Sequence, residues 1–169
     1  MDALKAIFTR RSIRKYKKGE ITEDQIRTML EAGMSAPSAG NQQPWHFIVI
    51  KDREILDKIP EFHPYSKMLE EAGAAIVVCG DLEKQIHEDY WVQDCSAATE
   101  NILLAAHAVG LGAVWLGVYP REDRVTGVSE LLEIPVDILP LCIISIGHPD
   151  EEKGPSRKFI ESRVHYDRW

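Results

Sequence analysis

The chain has 169 residues, 44% of them hydrophobic and 28% charged, an ordinary globular composition that fits one domain spanning 1–169, with no linker or second domain expected. Twenty Lys and Arg against 27 Asp and Glu give a formal net charge of -7, which works against general nucleic-acid binding and makes any basic cluster a local feature. The longest nearly apolar stretch, 102–118, is interrupted by His107, Gly110 and Gly112. At about 17 residues it is marginal for crossing a bilayer of roughly 30 Å, so it reads as a helix end leading into a strand and no membrane contact is expected.

In chain order, Leu4, Ile7 and Phe8 recur at helical spacing and predict a short helix over 2–9. The start lacks a basic segment followed by a long apolar one, so no secretory signal is read there. The basic run 10–16 (RRSIRKY) follows. In an extended chain the period of two puts Arg10, Ser12 and Arg14 on one side, which suits a phosphate and an electron-rich ring edge, or simply solvent.

Thr22 to Gln25 forms a capping-box pattern for a helix whose inner face is Ile26, Met29, Leu30 and Gly33, ending near Ser35. Pro37 reinforces that stop. The stretch 36–45 (APSAGNQQPW) is then a loop of small residues and amides. It makes turns in any case, and it also leaves backbone open to a flat polar ligand.

A strand is expected over 47–51, a helix over 52–59, irregular chain over 61–65 and a helical turn over 67–71. The unbroken apolar run 74–80 predicts a central strand beside the 47–51 strand. Residues 85–91 carry no clear signal. An alanine-rich helix is expected over 94–109, with Asn101 as a buried amide bonded to backbone. A strand over 112–118, a helix over 121–132, and a strand over 139–147 that starts near Pro140 follow. The tail from Pro155 to Trp169 has no clean period and either frays or crosses to another subunit.

Cys79, Cys95 and Cys142 form no C-x-x-C pair and read as core thiols in a reducing, cytoplasmic setting. The six histidines show no ligand spacing, so no metal site is expected. A G-x-G-x-x-G turn after a strand and a G-x-S-x-G elbow are both missing, which disfavours a dinucleotide-binding domain and an acyl-transfer hydrolase.

Four stretches, 10–16 (RRSIRKY), 36–47 (APSAGNQQPWHF), 110–117 (GLGAVWLG) and 164–169 (VHYDRW), together resemble the nitroreductase family of FMN-dependent oxidoreductases over nearly the whole chain. The resemblance implies an α+β fold, a central mostly antiparallel sheet flanked by helices, assembled as a homodimer with FMN at the subunit interface. It also implies that Arg10, Arg11 and Ser12 bind the phosphate and ribityl side and Arg14 the pyrimidine edge. Pro37, Ser38, Ala39 and Asn41 would contact the flavin from the other subunit. Trp115, Leu116 and Gly117 would pass near the central ring nitrogens, and Arg157 would close on the phosphate, although the family's further basic residue nearby is replaced by Pro155.

The flavin then carries the chemistry with no catalytic side chain, NAD(P)H is a transient electron donor, and a small electron-poor molecule such as a nitroaromatic or quinone is the acceptor. The rival readings are a non-catalytic flavin carrier or sensor, and a dehalogenating or flavin-consuming member of the same fold.

Overall fold

The computed structural model describes residues 1–156 and 159–169. Its centre is β3 (Ala74–Asp81), buried along its whole length as the missing polar alternation predicts. On one edge it pairs antiparallel with β2 (Trp45–Ile50), and on the other with β5 (Ile138–Pro149). β5 also pairs antiparallel with β4 (Gly112–Gly117) and, near its end, with the two-residue β1 (Tyr16–Lys17). Among the named strands every pairing is antiparallel; a single parallel bridge joins Ser12 to Ala113.

Alternate residues of β3 divide the core into two layers. Ile76 and Val78 join Ile26 and Met29 of α2 (Glu23–Met34) and Ile102 of α4 (Trp91–Ala108), while Val77 and Cys79 join Leu56 of α3 (Arg53–Lys58) and Val128 of α5 (Glu122–Leu131). Gly33 lets α2 and α4 approach, since a Cβ there would stand 2.9 Å from the Ile102 side chain. The first helix, α1 (Ala3–Thr9), is capped by Asp2, whose carboxylate accepts the Lys5 N–H. Asn101 donates to the Ala32 carbonyl at 3.0 Å, the backbone bond expected of it, but it is half-buried rather than buried.

Three elements differ from the sequence reading by more than one residue at an end. Strand β2 begins at Trp45 and ends at Ile50 rather than spanning 47–51, because its ladder with β3 starts at Trp45 opposite Gly80. Helix α4 begins at Trp91 rather than 94, with no side-chain cap to announce it. Its first turn is anchored by the Trp91 indole on Gly80, where a Cβ would come within 2.4 Å of the ring. Strand β5 runs on to Pro149 because Tyr16 packs on Gly147 and donates its hydroxyl to the carbonyls of Ile13 and Ser145. Pro140 is the third residue of β5, beside the register shift at Val78/Cys79, where a ladder tolerates a missing donor. Among the described residues no helix is long and apolar enough to cross a membrane.

The three thiols are free and buried. Burial pushes Cys79 and Cys142 up to about 12 and raises Cys95 further, and it pushes the Tyr16 phenol up to about 12. For an acid raised in the folded state, stability is complete below its unfolded pKa and is lost as pH rises through the folded value. Stability should therefore hold to about pH 9 and fall above it, with Tyr16 alone accounting for roughly 3 kcal/mol across pH 10 to 12. Urea midpoints measured from pH 8 to 12 check this; a flat profile would mean that these groups reach solvent.

Candidate functional site

A cleft of about 500 Å³ opens where the chain leaving α1 meets the end of β4. Ile13 anchors the chain beside it: its side chain is buried and its N–H donates to the Ala113 carbonyl at 3.0 Å, and the next residue, Arg14, lines the cleft. The Arg14 N–H donates to Glu151 at 2.6 Å, and that bond, with Lys153 beside it, holds the Glu151 carboxyl below its ordinary range. Trp115, Leu116 and Gly117 form the opposite wall.

Nothing among the described residues requires a glycine at position 117. Its backbone does not need positive φ, and a Cβ built there meets no heavy atom of the described residues within 4 Å, whereas at Gly80, Gly112 and Gly147 it would strike a side chain. The space over Gly117 is therefore available to a ligand.

Residues from the segment before β3 and from α5 complete the cleft: His63, Tyr65, Lys67 and Arg124. His63 is buried and places Nε2 3.0 Å from the Gly117 carbonyl, and Arg124 donates Nη1 to the same oxygen at 2.9 Å. A carbonyl only accepts, so His63 carries its proton on Nε2 and leaves Nδ1 bare. Burial, reinforced by the Arg124 charge, lowers the pKa of His63 and keeps the ring neutral. The Arg124 guanidinium lies over the Tyr65 ring, 5.4 Å from its centroid. Three buried side-chain polar atoms have no partner among the described residues, and two of them, His63 Nδ1 and Arg124 Nε, belong to this cleft.

The other predicted residues lie elsewhere in the same chain. Arg10 pairs with Glu100 at 3.3 Å. Arg11 donates to the carbonyls of Gly154 and Arg10 and lines a separate cleft of about 410 Å³ with Thr9, His107 and Lys153. The Ser12 carbonyl accepts from Lys153 at 2.6 Å. Pro37, Ser38, Ala39 and Asn41 are outside the lining of both clefts. Arg157 lies outside the described residues.

The loop holding Pro37, Ser38, Ala39 and Asn41 is rigidly built. Asp94 accepts the Ala39 N–H at 2.9 Å and the buried Gln42 amide at 2.7 Å, and Gln42 in turn accepts the N–H groups of Ile86 and His87. Gly40 and Asn41 both adopt positive φ, which Gly and Asn tolerate best. His63, Tyr65, Lys67, Arg124 and the Asp94–Gln42 pair were not singled out in the sequence. Their patterns there are an irregular proline-flanked segment and ordinary helix faces, and their roles come from long-range hydrogen bonds that spacing does not encode.

The comparisons with known proteins agree with this architecture. A profile described as the Nitroreductase family matches residues 7–63 and 60–148. A provisionally named NADH dehydrogenase/NAD(P)H nitroreductase of Methanothermobacter thermautotrophicus is 52% identical over 169 residues, covering 100% of this chain and 88% of the relative. A crystal structure from Bacteroides thetaiotaomicron, with the same provisional name, superposes with a TM-score of 0.94 at 46% identity, covering 99% and 98% of the two chains. Another, a provisionally named nitroreductase from Desulfovibrio desulfuricans in complex with FMN, superposes with a TM-score of 0.85 at 34% identity, covering 98% and 96%. With the antiparallel sheet, the RRSIR segment leading to the cleft and the end of β4 forming its wall all in place, this chain belongs to the Nitroreductase family.

Proposed function

We propose that this oxidoreductase binds FMN, takes electrons from NAD(P)H and passes them to a small electron-poor acceptor such as a nitroaromatic or quinone, with both half-reactions in one pocket of a homodimer. The observation that carries the reading is Gly117: a Cβ there would meet no heavy atom of the described residues within 4 Å, and Arg14 lies on the same cleft. The FMN complex of the Desulfovibrio relative and the NAD(P)H in the Methanothermobacter relative's name support it. Bound FMN would supply the redox chemistry, accepting a hydride from NAD(P)H and yielding two electrons to the acceptor.

The residues divide the work of holding such a group. Arg14 is a cation for the pyrimidine edge, where negative charge develops on reduction, and Trp115, Leu116 and Gly117 lie along the central ring. Arg10, Arg11 and Ser12 take the phosphate and ribityl side. The Arg10–Glu100 pair is partly solvated, a kind of contact worth about 0–1 kcal/mol, so exchanging it for a phosphate costs little. Arg157, outside the described residues, is assigned to the phosphate by the family resemblance alone.

Pro37, Ser38, Ala39 and Asn41 lie away from the Arg14 cleft of their own chain, which supports their reaching the flavin of a partner subunit. Exposed Leu4, Ile7 and Met34 on the helical side, and exposed Phe159, Tyr166 and Trp169 in the tail, supply apolar surface for such an interface. The buried free thiols support a reducing, cytoplasmic setting.

Anaerobic mixing of the FMN-loaded protein with NADH or NADPH tests the reading. Rapid bleaching, followed by reoxidation with a nitroaromatic or quinone, is expected. Flavin that binds but stays oxidised would make the chain a carrier or sensor, and rapid release of the flavin once reduced would make it a flavin-consuming enzyme.

A further inference from the structure

The cleft carries more positive charge than one flavin edge uses. Arg14, Lys67 and Arg124 all line it and no carboxylate does, on a chain whose net charge is -7. Among the described residues none of the three makes an ion pair. If Arg14 serves the pyrimidine edge and the Arg10 to Ser12 segment serves the phosphate, Lys67 and Arg124 are left without a counter-charge.

Arg124 is also already in position. Its Nη1 is bonded to the Gly117 carbonyl, its guanidinium lies over Tyr65, and its Nε is buried with no partner among the described residues. A guanidinium held in this way has lost most of its freedom before anything binds, and its planar donor fork matches the two oxygens of a carboxylate or phosphate. Tyr65, 68% exposed, places an aromatic face beside it for a ring-bearing ligand.

We infer that Arg124, supported by Lys67, is an anion subsite that takes a carboxylate or phosphate group on the molecule exchanging electrons with the flavin. This rests on the flavin reading and narrows it: the preferred partners of the pocket are aromatic anions. A purely structural Arg124, bracing the Gly117 carbonyl and nothing else, would not distinguish a charged ligand from its neutral analogue.

The test uses matched pairs bound to the FMN-loaded protein without reductant, read by calorimetry and by the flavin difference spectrum. A charge-assisted hydrogen bond corresponds to about tenfold to a hundredfold in affinity, so 4-nitrobenzoate should bind at least about tenfold more tightly than 4-nitrobenzamide. Added salt should weaken the benzoate and leave the benzamide unchanged. Arg124→Gln should collapse the preference, and Arg124→Lys should restore part of it.

Nicotinamide mononucleotide against nicotinamide riboside is the second pair. An Arg124-dependent preference in the first pair assigns the anion to the acceptor, and in the second to the hydride donor; either supports the subsite. Equal affinities within both pairs, or a preference unchanged in Arg124→Gln, overturn it. Should the protein take up no FMN, the flavin reading fails. The same titrations on the flavin-free chain then decide the anion subsite separately, by whether the Arg124-dependent preference persists.

Discussion

Gly117→Phe should abolish FMN binding while leaving the fold as stable as before. Among the described residues a Cβ at this position meets no heavy atom within 4 Å and the backbone needs no positive φ, so the added ring is expected to project into the cleft rather than into the core. Replacing a strand glycine removes backbone freedom from the unfolded chain, which raises stability slightly if it changes it at all. The phenyl ring would occupy the place proposed for the central flavin ring, and a loss of 1,000-fold or more in affinity, about 4 kcal/mol, is expected. FMN titration by fluorescence quenching, alongside a urea midpoint, measures both effects. Tight FMN binding by the variant would remove Gly117 from the site.

The same variant tests the shared pocket. Asn41→Ala should also weaken flavin binding, and it places alanine at φ 57, a left-handed conformation that costs roughly 1–2 kcal/mol. In a heterodimer of Gly117→Phe and Asn41→Ala subunits, one site carries both defects and the other carries neither. Mixing two flavin-deficient preparations should therefore recover part of the bound flavin. No recovery despite proven subunit exchange would place both walls of each site in a single chain.

Asp94→Ala should destabilise the protein by about 2–4 kcal/mol and release the 38–43 loop. The carboxylate is 4% exposed and accepts from the Ala39 N–H and the Gln42 amide. Each buried donor left unpaired costs about 1–3 kcal/mol. Removing a buried charge relieves its own desolvation and offsets part of that loss. Gln42 is the hinge of the effect, because its side chain also accepts from Ile86 and His87, so two segments loosen together. Amide exchange at Ala39, Ile86 and His87 should accelerate more than in the β3 core, and flavin affinity should fall with it. Asp94→Asn, which keeps an acceptor for one of the two donors, should lie between wild type and Asp94→Ala. A variant within 0.5 kcal/mol of wild type, the range of ordinary surface changes, would show that water replaces the carboxylate at no cost.

The elements best read from the sequence are those whose order comes from local chemistry. The capping box at Thr22 and Gln25 is present as both bonds, and the apolar run 74–80 became the buried central strand because nothing polar in it could face water. Boundaries were least legible where a distant glycine sets them. Helix α4 starts at Trp91 because Gly80, on another element, accepts the indole. Strand β5 extends to Pro149 because Tyr16 reaches back across Gly147.

By itself the sequence determined which chemistry is available: a basic segment at 10–14, a loop of amides and small residues at 36–45, a Gly-flanked strand at 112–117, and buried thiols without a partner pattern. These are local signals, carried by residue type and spacing along the chain. Tertiary structure alone decided how they combine. It joined Arg14 to Gly117 in one cleft, sent Arg11 to another, and left Pro37, Ser38, Ala39 and Asn41 apart from both. It also brought His63 and Arg124, 61 positions apart by their numbers, onto one carbonyl oxygen. The physical reason is that a carbonyl at a strand end accepts from whatever donor packing delivers, and which donor arrives depends on how α5 and the 62–68 segment close over the sheet rather than on any periodicity in the chain.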